Sequence, residues 1–233
     1  MVHDNKPLQD VEPIDDTVYV PRGCTDLLDA DWDTSPWRDI PSEHLQNYMG
    51  RKPNHFPKTE VKIAYDDTAI YLMFRVEDRY VRAVAKEYQD NVWEDSCVEF
   101  FFTPDSDLSV GYFNLEMNCG GTMLFHFHPE AGKERVVIPK NECSKIVCNH
   151  SLPQIVDPEI REAVTWTVAY SIPIALLRRY CRVITPAPDV EWRANFYKCA
   201  DKTSHPHWLT WSQVNSPKPN FHIPESFGIL KFE

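Results

Sequence analysis

The side chains of this chain that could do chemistry fall into four groups. In Phe125-His126-Phe127-His128 two imidazoles stand two residues apart, which on a strand puts both on one face, the arrangement of a transition-metal ligand pair. The same spacing also describes two histidines on a polar sheet face, and His205-Pro-His207 is a weaker repeat of it. Asp29, Asp31 and Asp33 alternate beside Trp32 and Trp37, like the start of a calcium loop. Thr34 occupies the place of the sharp-turn glycine and Ile40 that of the bidentate glutamate, so a turn or a helix cap accounts for them equally. Glu99 lies inside Cys97-Val98-Glu99-Phe100-Phe101-Phe102, where a carboxylate is costly unless a cation or several donors meet it. Glu99 therefore requires a partner, and Arg75 is one candidate.

The fourth group is a set of stripes. Tyr112, Asn114, Glu116 and Asn118 alternate with Phe113, Leu115 and Met117. Thr122, His126 and His128 continue the polar side, and Arg193, Asn195 and Tyr197 alternate with Trp192, Ala194 and Phe196. Solvated sheet faces favour Lys, Glu and Thr, whereas Asn, Tyr, His and Arg suit convergent hydrogen bonding to a hydroxylated ligand. Glu99, Glu116 and Asp95 are candidate acids, but spacing selects no catalytic pair. There is no G-x-S-x-G, no H-E-x-x-H and no glycine-rich phosphate loop.

The elements that must position these groups are strands. Period-2 alternation predicts an edge strand at 17–20, a hairpin of 58–65 and 69–77 turning at Asp66-Asp67-Thr68, and strands at 96–102, 111–118, 122–128, 163–171, 190–198 and 227–232. A further strand is expected near 145–149, a loop over 44–59, and a short helix over 174–180 opened by Pro173. Val98, Phe100, Phe102, Phe113, Leu115, Trp166, Trp192 and Phe196 should share one core. The fold expected is all-β, an antiparallel β-sandwich of jelly-roll or immunoglobulin-like type with minor short helices, as one domain over 1–233 with 1–16 as an extended lead-in.

Nineteen Pro against seven Gly, with 12% aromatic residues, suit many short strands closed by proline-bearing turns. A net charge of −11 without a Lys/Arg cluster argues against nucleic acid or an anionic membrane as partner. No apolar leader and no membrane-spanning run is visible, so the chain as written reads as soluble and cytoplasmic, or as secreted or periplasmic if it is a processed form. The seven cysteines contain no C-x-x-C, which reads as small buried hydrophobes, with a Cys143–Cys148 bridge left open for an oxidising compartment.

Taken in order, W-E-D-S-C-V-E-F-F-F-T-P, Y-F-N-L-E-M-N-C-G-G-T, W-T-V-A-Y-S-I-P, N-F-Y-K-C-A-D and F-H-I-P-E-S-F-G resemble the carbohydrate-binding module family 9-like proteins, from about Ala30 to the C-terminus. The resemblance implies a β-sandwich of two antiparallel sheets with calcium as a structural ion, and a non-catalytic site where a terminal sugar or short oligosaccharide lies between two indoles, in the service of polysaccharide catabolism. The Trp-x5-Glu spacing of that site matches Trp93 and Glu99. The second indole is expected late in the chain, at Trp208 or Trp211, with Trp211 preferred. Arg75, Asn114, Arg193 and Asn195 are expected to complete the site, Arg75 or Arg193 holding Glu99 ionised. Two other readings are a metal-dependent, cupin-like barrel centred on His126 and His128, and a sandwich that has lost its ligand site.

Overall fold

The computed structural model describes residues 16–23, 28, 31–130 and 132–233. Its strands are β1 (Thr17–Val20), β2 (Glu43–His44), β3 (Asn47–Tyr48), β4 (Lys58–Tyr65), β5 (Ala69–Asp78), β6 (Val81–Ala83), β7 (Cys97–Thr103) and β8 (Tyr112–Asn118). They continue with β9 (Met123–His128), β10 (Val136–Val137), β11 (Val147–His150), β12 (Val156–Ile160), β13 (Val164–Pro173), β14 (Glu191–Cys199), β15 (Trp208–Thr210) and β16 (Gly228–Phe232). The expected 1–16 lead-in lies outside the described residues except for Asp16.

Two sheets face each other. One runs β1-β16-β14-β7-β8-β9-β10, with β15 joined to β14 and β3 joined to β15; the other runs β11-β13-β5-β4-β2. All these pairs are antiparallel except β1 with β16. The architecture is an open β-sandwich, which excludes the cupin-like barrel: neither sheet closes on itself. Short β2 and β3 interrupt the loop expected over 44–59, and the helix opened by Pro173 is cut to Ile174–Leu177. The rest of the alternating segments form strands within a residue or two of the expected bounds.

The core follows the alternation. Val98, Phe100, Phe102, Phe113, Leu115, Trp192 and Phe196 from the larger sheet and Trp166 from the smaller are all fully buried in one cluster. Phe74 of β5 meets Phe196 of β14 edge-on across the sandwich, ring centres 6.2 Å apart. At roughly 25 cal/mol per Å² of apolar surface, these aromatic rows supply much of the driving force, and they force every second residue of β7, β8, β9 and β14 onto the opposite face. Cys143 is buried in this core and Cys148 lies against it; both are free thiols. Among the described residues no helix is long and apolar enough to cross a membrane.

Candidate functional site

The outer face of the larger sheet is not a solvated surface. In register across it, Tyr197 of β14 stands opposite Glu99 of β7, and Glu99 opposite Glu116 of β8. The next row sets Phe101 opposite Asn114 and Asn114 opposite His126. The chain after β14 folds back over these rows. Phe221 stacks on Tyr197 with ring centres 4.1 Å apart, and His222 Nδ1 lies 3.0 Å from the Tyr112 hydroxyl. What remains between floor and roof is a cavity of about 340 Å³. Its floor carries Glu99, Asn114, Glu116 and His126; Trp93, Trp208, Asp201, Arg135, Asn220 and His222 stand around it.

Local structure explains how Trp93 is held. It sits in a 3-10 turn, Val92–Glu94, whose carbonyls at Trp93 and Glu94 accept from the backbone N–H groups of Asp201 and Lys202. Buried Asp95 ties that turn down, accepting hydrogen bonds from the Val84 and Ala85 N–H groups, Asn118 Nδ2 and the Arg82 guanidinium. Trp208 pairs with Cys199, an outward-facing residue, so its indole is also outward, fixed by an Nε1 hydrogen bond to Asp201 Oδ1 at 2.8 Å.

The floor is electrostatically unfinished. Glu99 is 2% exposed; its Oε1 accepts from the Cys199 thiol at 3.0 Å and its Oε2 has no partner. Glu116 is 5% exposed; its Oε1 accepts from Asn114 Nδ2 at 2.8 Å, while its Oε2 too is unpaired. Burial pushes the Glu99 carboxyl well above its ordinary range, with Cys199 and Glu116 adding to it. Burial likewise pushes Glu116 up to about 7, against the Asn114 hydrogen bond. On the other side of Asn114, His128 Nε2 lies 2.9 Å from Oδ1, and burial holds His126 and His222 down at about 4 and His128 at about 3. These imidazoles are neutral hydrogen-bonding groups at neutral pH.

Several expected site residues lie elsewhere. Trp211 does not line the cavity: it belongs to the core between the sheets, with its indole N–H on Glu43 Oε2 at 3.2 Å. Its ring lies against Gly228 so closely that a Cβ there would come within 2.5 Å of it. Leu209 of the same stretch is also core, so parity sends Trp208 outward and Trp211 inward. Arg75 is on the smaller sheet, paired with Glu60 at 2.8 Å and Asp33 at 3.4 Å and lying over the Trp32 ring; it cannot partner Glu99. Arg193 donates to the carbonyls of Gly228 and Phe227, and Asn195 is spent on Ser212 and the Phe196 N–H, so both fasten strands together. The expected Arg75 or Arg193 contact to Glu99 is replaced by a thiol and an unpaired oxygen.

The donors of the metal readings do not converge on the expected residues. Among the described residues, one grouping brings three donor atoms within 4.8 Å of one another: Cys97, Glu99 and Cys199, not His126 with His128. Asp29 lies outside the described residues, and Asp33 is engaged by Arg75. Asp31 and Asp33 are both exposed. Of the two late tryptophans the less favoured one, Trp208, lines the cavity, and Arg135, Asp201, Asn220 and His222 were not singled out by sequence reasoning. Only Trp208 carried a usable signal, its parity relative to Leu209.

The profile of carbohydrate-binding family 9 matches residues 37–232. A protein from Bacteroides uniformis assigned as carbohydrate-binding superposes with a TM-score of 0.81 at 29% identity, over 93% of this chain and 99% of that one. A family 9 carbohydrate-binding module from Caldicellulosiruptor kristjanssonii is also similar, in complex with glucose (TM-score 0.65, 14% identity, 94% of this chain and 96% of that one). Its complex with cellotriose gives a TM-score of 0.66 at 13% identity, over 94% of each chain. No curated protein matches the chain.

Proposed function

We propose, from the premise that this chain belongs to carbohydrate-binding family 9, that it binds a terminal sugar or short saccharide in the cavity between Trp93 and Trp208 and does not turn it over. The observation that carries this reading is the cavity's make-up: two half-buried indoles beside a floor of buried hydrogen-bonding groups with unused capacity. Indole faces suit the axial C–H groups of a sugar ring, and carboxyl, amide and imidazole groups suit its hydroxyls. The volume of about 340 Å³ lies within the range of small-molecule sites.

The carboxyl pair supports binding without turnover. Glycoside hydrolysis needs two carboxyl groups whose environments drive their pKa values apart, one protonated and one ionised. Here burial pushes Glu99 and Glu116 in the same direction. Titration calorimetry with mono- and disaccharides tests the reading. Binding that weakens in Trp93→Ala and in Trp208→Ala, both folded by circular dichroism, is the expected result. A broad saccharide panel without binding, or unchanged affinity in both variants, would overturn it.

A further inference from the structure

Glu99 and Glu116 are direct cross-strand neighbours, both buried, and each has one oxygen without a partner on the cavity floor. The groups that face them do not neutralise them. Asp201 adds a third carboxyl group to the cavity, and His126 and His222 are neutral. Cys199 faces Glu99 as a thiol that burial keeps protonated, and Tyr197 opposite it is a phenol kept neutral in the same way. Among the described residues, Arg135 is the one cation lining the cavity; it is exposed, forms no ion pair with either glutamate, and its charge is the weakest of the influences on Glu116, behind burial, Asn114 and Asp201.

Two carboxyl groups on neighbouring strands, each with an unpaired oxygen and neither in an ion pair, are an uncommon floor for a neutral sugar, because hydroxyl donors gain no charge assistance from a protonated acid. An ammonium group offers three donors and the missing positive charge at once. From the paired Glu99 and Glu116 oxygens we infer that the preferred ligand is an amino sugar with a free amine, a 2-amino-2-deoxyhexose unit or its oligomer, whose ammonium group sits on the two glutamates while the ring lies against Trp93 and Trp208. The inference rests on the saccharide-binding reading above and narrows its ligand. Bringing an ammonium group to the pair lowers the proton affinity of both acids, so part of the protons held by the empty site leaves on binding near pH 7.

The test is titration calorimetry of the whole chain at pH 7 with glucosamine, glucose, N-acetylglucosamine and ethanolamine, the first in two buffers of different ionisation enthalpy. Glucosamine is expected to bind about tenfold tighter than glucose or N-acetylglucosamine, the difference between charge-assisted and neutral hydrogen bonds, with net proton release. Glu116→Gln and Glu99→Gln should each reduce that advantage and the proton release, and the double variant should abolish both. If glucose binds as tightly as glucosamine, or glucosamine binds without proton release, the amino-sugar assignment falls while saccharide binding stands. If ethanolamine matches glucosamine, the site reads an amine and not an amino sugar, and the assignment also falls. If none of the sugars binds, the saccharide reading itself falls.

Discussion

Two sets of buried ionisable groups in this sandwich have opposite character. Between the sheets, Asp78 is met by His55 at 2.7 Å, the Trp166 indole N–H at 3.2 Å and the fully buried Lys198 ammonium at 3.6 Å, and Lys198 is in turn 2.9 Å from His207. Burial alone would raise the Asp78 carboxyl, but Lys198 and the hydrogen bond from His55 override it and hold it at about 2. On the outer face of the larger sheet, Glu99 and Glu116 make no ion pair and burial wins, the exposed Arg135 offsetting it only weakly at Glu116. The comparison separates two uses of buried charge: a matched set that joins sheets, and an unmatched set that leaves binding capacity facing a cavity.

The largest effect that would break this comparison is on stability. Lys198→Met leaves Asp78 buried without its cation and should cost about 3–5 kcal/mol in urea unfolding, whereas Glu99→Gln or Glu116→Gln should be neutral or stabilising. A Lys198→Met chain within about 1 kcal/mol of the parent would mean that the interior set is not matched in the way its distances imply.

How much of this was legible beforehand depended on whether parity alone sufficed. Alternation assigns Phe100 and Glu99, or Phe113 and Asn114, to opposite faces without knowledge of any partner, and the core and the polar face follow from it. Arg75 shows where parity stops. It is on a non-core face as expected, but which sheet that face belongs to is set by strand order, and β5 pairs with β13 and β4, not with β7. The Glu99–Glu116 neighbourhood likewise depends on the β7–β8 register, which no local pattern specifies. Arg135, Asn220 and His222 reach the cavity from non-strand segments where no period applies, and only folding of the chain over the sheet brings them there.

The next effect sharpens the contrast through pH. Glu116 has a raised value in the folded state, so its contribution to stability is fully present below about 4.5 and is lost as pH rises through about 7, on the order of 3 kcal/mol, and Glu99, raised by the same burial, acts in the same direction. Asp78 is depressed, so its contribution is present above about 3.8 and is lost as pH falls toward about 2. Urea unfolding across pH 4.5 to 7.5 should show a decline in the parent chain that Glu116→Gln flattens. An equal slope in both chains would remove the unmatched carboxyl pair from the account.

A smaller effect distinguishes the two late tryptophans, which lie three residues apart in sequence and on opposite faces of the sheet. Removing the Trp208 indole takes away one cavity wall, and with stacking contributing roughly 0.5–1.5 kcal/mol beyond area burial, Trp208→Ala should weaken saccharide binding at least about threefold. Trp211→Phe touches only the interior. It forfeits the hydrogen bond to Glu43 and part of the ring volume packed over Gly228, so it should lower stability by about 1–2 kcal/mol while leaving affinity within about twofold. Phe is the informative replacement, because it keeps a ring against the Phe196 edge 5.6 Å away and limits collapse of the core. Calorimetric affinity and denaturant midpoint, measured on both variants, separate the faces. If Trp211→Phe weakens binding as much as Trp208→Ala does at equal stability, the ligand is read from the interior side, and the cavity over β7 and β8 is not its seat.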